Sequence, residues 1–69
     1  MGERMKIPEI IKELRHRADM TQADLDKRAG LSTGTIGRIE RGDADPRGTQ
    51  FLRIIHATGH EFVIRRKET

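Results

Sequence analysis

The stretch Thr21-Gln-Ala-Asp-Leu-Asp-Lys-Arg-Ala-Gly-Leu-Ser-Thr-Gly-Thr-Ile-Gly-Arg-Ile-Glu-Arg-Gly42 decides the fold. Thr21 followed three residues later by Asp24 is typical of a helix start, where each side chain bonds the other residue's amide. Gly30 predicts the end of that helix, because glycine adopts the left-handed conformation that closes helices. Ser32 predicts the cap of a second short helix ending at Gly42. Two short helices joined by a glycine-containing turn of three or four residues form a helix-turn-helix.

Two further helices flank this unit. Upstream, apolar residues at intervals of three and four predict a first helix with one buried face, and Pro8 suits its first turn. Downstream, residues 43–48 are rich in turn formers and predict a loop before a fourth helix that Gly59 closes. The residues expected to form the apolar faces are Ile7, Ile10, Ile11 and Leu14 in the first helix and Phe51, Leu52, Ile54 and Ile55 in the fourth.

Composition limits what this chain can be. With 69 residues there is room for one core, and cores of this size are marginal without extra support. Cysteine is absent, and the three histidines lack the spacing of a zinc site, so we expect no disulfide, metal or cofactor. The single serine has no nucleophile–base arrangement around it, so we expect no catalytic residue and no enzyme. Oligomerisation is the remaining source of support.

Charge and hydropathy narrow the partners. The formal net charge is +3, which is compatible with nucleic acid but does not establish it. No stretch reaches the roughly 20 apolar residues of a membrane span, and the first residues lack the apolar core of a signal peptide. These features predict a cytoplasmic protein without a membrane partner.

The run from Gln22 to Gly42 resembles the lambda-repressor/Cro (XRE) helix-turn-helix family. It has the family's Gln at the start of the second helix, Leu25 three residues later, a turn glycine before Ser32, and Glu-x-Gly closing the recognition helix. The resemblance extends over residues 7–59. It implies a compact four-helix domain whose third helix enters the major groove of double-stranded DNA. It also implies an ion pair between Arg15 and Glu40, which would explain a carboxylate in a helix that faces DNA.

The predicted recognition helix offers few side chains for reading bases. Arg38 should lie on its exposed face, where a guanidinium can pair with guanine, although an ordinary solvated charge is the alternative. Thr33 and Thr35 offer methyl and hydroxyl groups to bases or phosphates, or simply occupy the first turn. Gly34 and another glycine at position 37 weaken the helix, and either let DNA approach closely or leave the helix to form fully on binding.

Other candidates for DNA contact lie around this helix. The resemblance implies that Gln22 bonds a phosphate and braces the recognition helix. The amide end of the helix at Ser32 is expected to face phosphates favourably. Arg41 and Arg47 flank the exit loop and are candidates for phosphate binding, although either can instead pair with Asp43 or Asp45.

One residue departs from the family pattern. Asp26 stands where the family usually keeps alanine, since the two helices approach closely there. We hypothesise that its carboxylate accepts hydrogen bonds from the amide end of the third helix.

The C-terminus predicts a strand. Residues 61–67 read Glu-Phe-Val-Ile-Arg-Arg-Lys, and the β-branched and aromatic content favours an extended segment. A lone strand needs a partner, and pairing with the same strand of a second molecule satisfies it. Phe62, Val63 and Ile64 are therefore predicted to dimerise the protein. This segment resembles that of HipB-type antitoxins, which implies a HipA-type toxin as a second partner; a frayed basic tail is the alternative.

The sequence as a whole predicts an all-α, four-helix lambda-repressor-like domain (residues 1–59) and a C-terminal strand and tail (residues 60–69) that pairs across a dimer. The predicted function is that of a homodimeric transcriptional repressor on a palindromic operator, either an autoregulating antitoxin or a phage-type repressor. The competing hypothesis is a protein-interaction module that keeps the fold but binds little DNA. The small side chains of Thr33, Gly34 and Thr35 favour that second hypothesis.

Overall fold

Four α-helices are present in the part of the protein that the structure describes. A computed structural model describes residues 5–67, and the outer ends of the two predicted units, residues 1–4 and 68–69, lie outside the described residues. The helices are α1 (Ile7–Arg17), α2 (Gln22–Arg28), α3 (Thr35–Glu40) and α4 (Gly48–Ala57). The chain is therefore all-helical over the part that the structure describes, in agreement with the predicted helix-turn-helix domain.

Local signals explain where α1 and α2 begin. Pro8 lies in the first turn of α1, and the Glu9 carboxylate accepts a 2.8 Å hydrogen bond from the Lys6 amide. At α2 the predicted reciprocal cap is confirmed. The Thr21 amide donates to Asp24 Oδ2 and the Asp24 amide donates to Thr21 Oγ1, both at 3.0 Å. These bonds satisfy amides that a helix start leaves without partners, and they fix α2 at Thr21.

The core lies among the four helices, with α1 and α2 each packing against both α3 and α4. Because α3 contributes two fully buried side chains from only six residues, it is the central element rather than an appendage. The largest fully buried side chains are Ile11, Leu25, Ile36, Ile39 and Ile54. Phe51 and Met20 are half-buried and pack against this cluster. Because two of its side chains are fully buried in this core, α3 has a fixed orientation.

Two residues expected in the core are exposed. Ile7 is 39% exposed and Leu52 is 41% exposed, and Ile10 and Leu14 are only half-buried. A helical stripe identifies the face that turns inward, but a residue is covered only where another element lies opposite. Ile11, in the middle of that stripe, is the residue of α1 that is fully buried.

The C-terminal segment is not a strand in the single chain. Residues 60–67 have no regular secondary structure, and residues 5–67 provide no strand with which they could pair. The Phe62 ring nevertheless packs edge-on against Phe51 of α4, with ring centroids 6.2 Å apart. The start of the segment is therefore held against the helical body.

None of the helices in the described part of the chain has both the length and the apolar character that a membrane span requires.

Candidate nucleic-acid interface

Helix α3 turns a narrow edge outward. Ile36, Gly37 and Ile39 are buried, whereas Arg38 is exposed and Thr35 is half-buried. Thr35 and Arg38 are three residues apart and so are neighbours on the helix surface, with Arg38 turned to solvent and Thr35 at the margin of the core. The edge is short, because six residues rise only about 9 Å. Arg38 is the long side chain that this edge offers.

The start of α3 differs from the prediction. The helix begins at Thr35, and its N-terminal boundary residue is Gly34, with φ of 90° and no side-chain cap. Ser32 is therefore not the cap. Its carbonyl accepts a 3.1 Å bond from the Thr35 amide in a tight turn, and the residue is exposed. Gly34 does not weaken the helix interior as expected; it provides the left-handed turn that leads into the helix, which glycine adopts without strain.

Asp26 replaces Ser32 as the cap of α3. The residue is 4% exposed, and its two carboxylate oxygens accept 2.8 Å bonds from the amides of Gly34 and Ile36. These are the bonds that the sequence hypothesis for Asp26 required. They also correct a second expectation, because a carboxylate already occupies the amide end that was expected to face phosphates.

Gln22 lies directly over α3. A Cβ built at Gly37 would be 3.2 Å from Gln22 Oε1 and 3.4 Å from Arg41 Nη1, which is tighter than ordinary contact. The missing side chain at position 37 therefore leaves room for both neighbours. This role of Gly37 escaped the sequence analysis, although glycine inside a short helix is costly and so was a signal that something packs there.

Arg15, Gln22 and Glu40 form one polar cluster under the candidate interface. Arg15 Nε donates to Glu40 Oε2 at 2.7 Å and Arg15 Nη2 donates to Glu40 Oε1 at 3.1 Å. Gln22 Nε2 donates to the same Oε1 at 3.0 Å. The side chains of Arg15 and Glu40 are 11% and 5% exposed, so the negative charge of Glu40 is neutralised within the protein rather than presented to DNA.

The ionisation of this cluster follows from its contacts. Burial of Glu40 opposes its ionisation, but hydrogen bonds from Arg15 and Gln22 and the charges of Arg15 and Lys12 outweigh burial, so its pKa is below the ordinary value. The hydrogen bond to Glu40 raises the pKa of Arg15 despite partial burial. Both groups are therefore charged at neutral pH, as an ion pair requires.

The two arginines of the exit loop have different surroundings. Arg41 Nε lies 3.2 Å from Asp43 Oδ2, and both side chains are more than 60% exposed. Such a pair contributes little to stability and exchanges readily with a phosphate. Arg47 is the N-terminal boundary residue of α4 and is exposed, with no carboxylate partner among residues 5–67.

Comparison with known proteins identifies the family. The sequence model of the Helix-turn-helix family matches residues 11–61, well over half of the chain. The protein belongs to this family. The match is to the XRE type of helix-turn-helix and indicates a DNA-binding regulator. Comparison with curated proteins gives no match.

In this helix-turn-helix protein the predicted DNA-contact residues fall into two groups. The α3 edge carries the residues that could reach bases, and Gln22 and Arg41 meet beside it at Gly37. Within the described part of the chain, no hydrogen bond or ion pair joins Arg47 to the α3 edge or to Gln22 and Arg41. The exposed residues along the α3 edge and the turn before it are Ser32, Thr33, Gly34 and Arg38, with Thr35 half-buried between them.

The residues predicted to dimerise the helix-turn-helix protein are exposed in the single chain. Phe62 is 47% exposed, Val63 is 60% exposed and Ile64 is 84% exposed. Their exposure increases with distance from the contact between Phe62 and Phe51. Across residues 5–67, no group of three or more His, Cys, Asp or Glu side chains is arranged to hold a metal ion.

Proposed function

We propose that the protein is a sequence-specific DNA-binding transcriptional repressor. The observation that carries this proposal is the outward edge of α3. Arg38 is exposed and Thr35 half-buried beside it, while Ile36 and Ile39 are buried and the Asp26 cap fixes the start of the helix. A rigid helix edge that carries one arginine and follows the small residues Ser32, Thr33 and Gly34 fits the roughly 12 Å wide major groove.

Arg38 is proposed to read a guanine. Its guanidinium can donate two parallel bonds to guanine O6 and N7, a contact worth about 1–3 kcal/mol of discrimination against other bases. Thr33 and Thr35 are proposed to contact a thymine methyl group or a base edge. Ser32 is proposed to donate its hydroxyl to a phosphate, and Gly34 to allow the sugar–phosphate backbone to approach, since a Cβ there would meet nothing within 4 Å.

Contacts to the DNA backbone complete the proposed interface. Gln22, Arg41 and Arg47 are the proposed phosphate ligands. Gln22 uses one amide hydrogen on Glu40 and retains the second for a phosphate oxygen. Arg41 must leave Asp43 to bind a phosphate, and their exposure makes this exchange inexpensive. Binding should weaken steeply with salt, because phosphate contacts release counterions.

The active form is proposed to be a cytoplasmic homodimer on a palindromic operator. Residues 60–69 are the proposed dimerisation segment, separate from the DNA-binding domain of residues 1–59, with Phe62, Val63 and Ile64 as its apolar contacts. Two recognition helices about 34 Å apart would contact successive turns of the major groove. The exposure of these three side chains supports the proposal, since apolar groups of this size are seldom left in water without a partner.

The resemblance of the C-terminus to HipB-type antitoxins supports a more specific role, that of an autoregulating antitoxin with a HipA-type toxin as second partner. A second candidate function is a protein-interaction module with little DNA binding. The observation in its favour is the small size of Thr33, Gly34 and Thr35, which leaves Arg38 as the long side chain of the edge.

One experiment tests the proposal. Duplexes selected from a random pool should share a palindromic sequence, and Arg38→Ala should weaken binding to the selected duplex by about 5- to 150-fold. Arg28→Ala is the matched control, because it removes one exposed positive charge from the C-terminal end of α2, where Arg53 and His56 are its neighbours. On random duplex the two variants should behave alike. No selected sequence, or equal losses for both variants on the selected duplex, would refute base reading by Arg38.

A further inference from the structure

The exposed C-terminal segment has a charge pattern that is complementary to itself. The central residues are Glu61-Phe62-Val63-Ile64-Arg65, with an acid at one end, a base at the other, and three apolar residues between. All five are exposed, and the segment has no partner strand within residues 5–67. An extended segment of this kind leaves its own backbone groups free for pairing.

When two copies pair antiparallel with Val63 at the centre, each of these five residues lies opposite a compatible one, apolar opposite apolar and acid opposite base. Val63 lies opposite Val63 of the other copy, and Phe62 lies opposite Ile64. Glu61 then lies opposite Arg65, and the two-fold symmetry repeats that charge pair at the other end. Directly opposed residues of opposite charge stabilise a strand pair, and like charges destabilise it.

We infer that the partner of this segment is a second copy of the chain, joined in the antiparallel register centred on Val63 and fixed by two Glu61–Arg65 ion pairs. The inference rests on the proposed homodimer and names its register. It also names a source of specificity, since a foreign strand would need the same order of charges, an acid followed four residues later by a base, to pair antiparallel equally well.

The slips that keep Glu61 opposite a base, Arg66 or Lys67, lose the apolar matches because they set Phe62 opposite an arginine. A slip by one residue brings Phe62 opposite Arg65, and a slip by two brings Phe62 opposite the next arginine, Arg66. A one-residue slip also turns apolar side chains to the opposite face. Parallel pairing in register brings Glu61 opposite Glu61 and Arg65 opposite Arg65, which is repulsive. The centred antiparallel register avoids each of these conflicts.

The position of Phe62 assigns the two faces of the ribbon. Side chains alternate along a strand, so Phe62 and Ile64 share one face, while Glu61, Val63 and Arg65 share the other. Because Phe62 packs on Phe51, the Phe62 face turns toward the helical body. Pairing would bring Ile64 of the other copy to that same face, covering the most exposed large apolar side chain among residues 5–67.

A charge exchange tests the register in solution. Glu61→Arg and Arg65→Glu each oppose like charges twice in a homodimer. We expect each variant alone to raise the dimer dissociation constant by about thirtyfold. An equimolar mixture of the two variants restores complementary charges at both ends and should form a heterodimer near wild-type affinity. The control is Lys67→Glu, outside the central five residues. Sedimentation equilibrium over a concentration series measures all four.

Cysteine cross-linking tests the same register independently, because the chain has no cysteine of its own. Val63→Cys should form an intermolecular disulfide under mild oxidation, since directly opposed residues are about 4.5–5.5 Å apart between Cα atoms. Phe62→Cys and Ile64→Cys should each cross-link poorly alone, at a diagonal separation of about 7–8 Å, and efficiently when mixed with each other.

The outcomes separate the register from the proposed function. A monomeric wild-type chain at high concentration overturns both the homodimer and its register. A wild-type dimer that cross-links best through position 62 or 64, or whose two charge variants fail to recover affinity when mixed, overturns the register and leaves the homodimer standing. Circular dichroism should show the helices of every variant intact, because all the substitutions lie beyond α4.

Discussion

Replacing Asp26 with alanine removes the acceptor for two buried amides at the start of α3. Hydrogen bonds to a charged group contribute about 1.5–3 kcal/mol each, so two of them total roughly 3–6 kcal/mol. The substitution also removes the cost of burying a carboxylate, which favours the lower end, about 3 kcal/mol. A protein of 69 residues has a total unfolding free energy of only about 3–10 kcal/mol. Asp26→Ala should therefore bring the domain close to unfolding.

Thermal unfolding followed by circular dichroism measures this loss. At about 4–8 °C per kcal/mol for a domain of this size, we expect the melting temperature of Asp26→Ala to fall by at least about 12 °C. Asp26→Asn keeps one acceptor oxygen and should fall by roughly half as much. Asp45→Ala is the matched control, because it removes the same charge from an exposed position. Amide exchange at Gly34 and Ile36 should accelerate more in Asp26→Asn than exchange within α1.

An unchanged or higher melting temperature for Asp26→Ala would refute the assignment of Asp26 as the cap of α3. So would equal losses for Asp26→Ala and Asp45→Ala, since the effect would then follow the charge of the chain rather than the two bonds.

Three further predictions concern the residues around α3. Gly37→Ala should leave the melting temperature unchanged or raise it, because alanine favours helix and the displaced end of the Gln22 side chain is flexible. Operator affinity should fall. A large loss of stability would contradict this prediction. Glu40→Gln should lower the unfolding free energy at pH 7 by about 1–3 kcal/mol. Because the folded pKa of Glu40 is lowered, its ionised form stabilises the protein above about pH 4.3, and this stabilisation is lost as pH falls through the lowered value. The difference in urea midpoint between wild type and Glu40→Gln should therefore shrink from pH 7 to pH 3, and a constant difference would contradict the assignment. If Arg41 binds a phosphate, Arg41→Ala should reduce by about one the slope of the logarithm of DNA affinity against the logarithm of salt concentration. An unchanged slope would mean that Arg41 stays paired with Asp43.

The sequence predicted those parts of the fold that depend on neighbouring residues in the chain. The cap formed by Thr21 and Asp24 is such a case, because both partners lie within one helical turn and their spacing alone specifies the bonds. The first and fourth helices followed from apolar spacing, and the two between them from capping residues and glycines. Their number and order depend on local periodicity, which the sequence displays directly.

Features that depend on tertiary packing were harder to predict. Ser32 has the residue type of a helix cap, but Asp26 reaches the same amides from the neighbouring helix and Gly34 turns the chain before the helix begins. Ile7 and Leu52 have the spacing of core residues, yet they are 39% and 41% exposed, because spacing alone does not say where another element packs. The role of Gly37 depends on Gln22, fifteen positions earlier, and a glycine in a helix does not by itself tell which residue packs against it.

The most direct test of the central claim is chemical-shift mapping of the amides when a selected operator duplex is added. If the α3 edge enters the major groove, the largest changes should fall on residues 32–38, with smaller changes at Gln22 and Arg41. Arg28 and His56, at the far ends of α2 and α4, should stay nearly constant. Largest changes at Arg28 and His56, or none along residues 32–38, would contradict the claim.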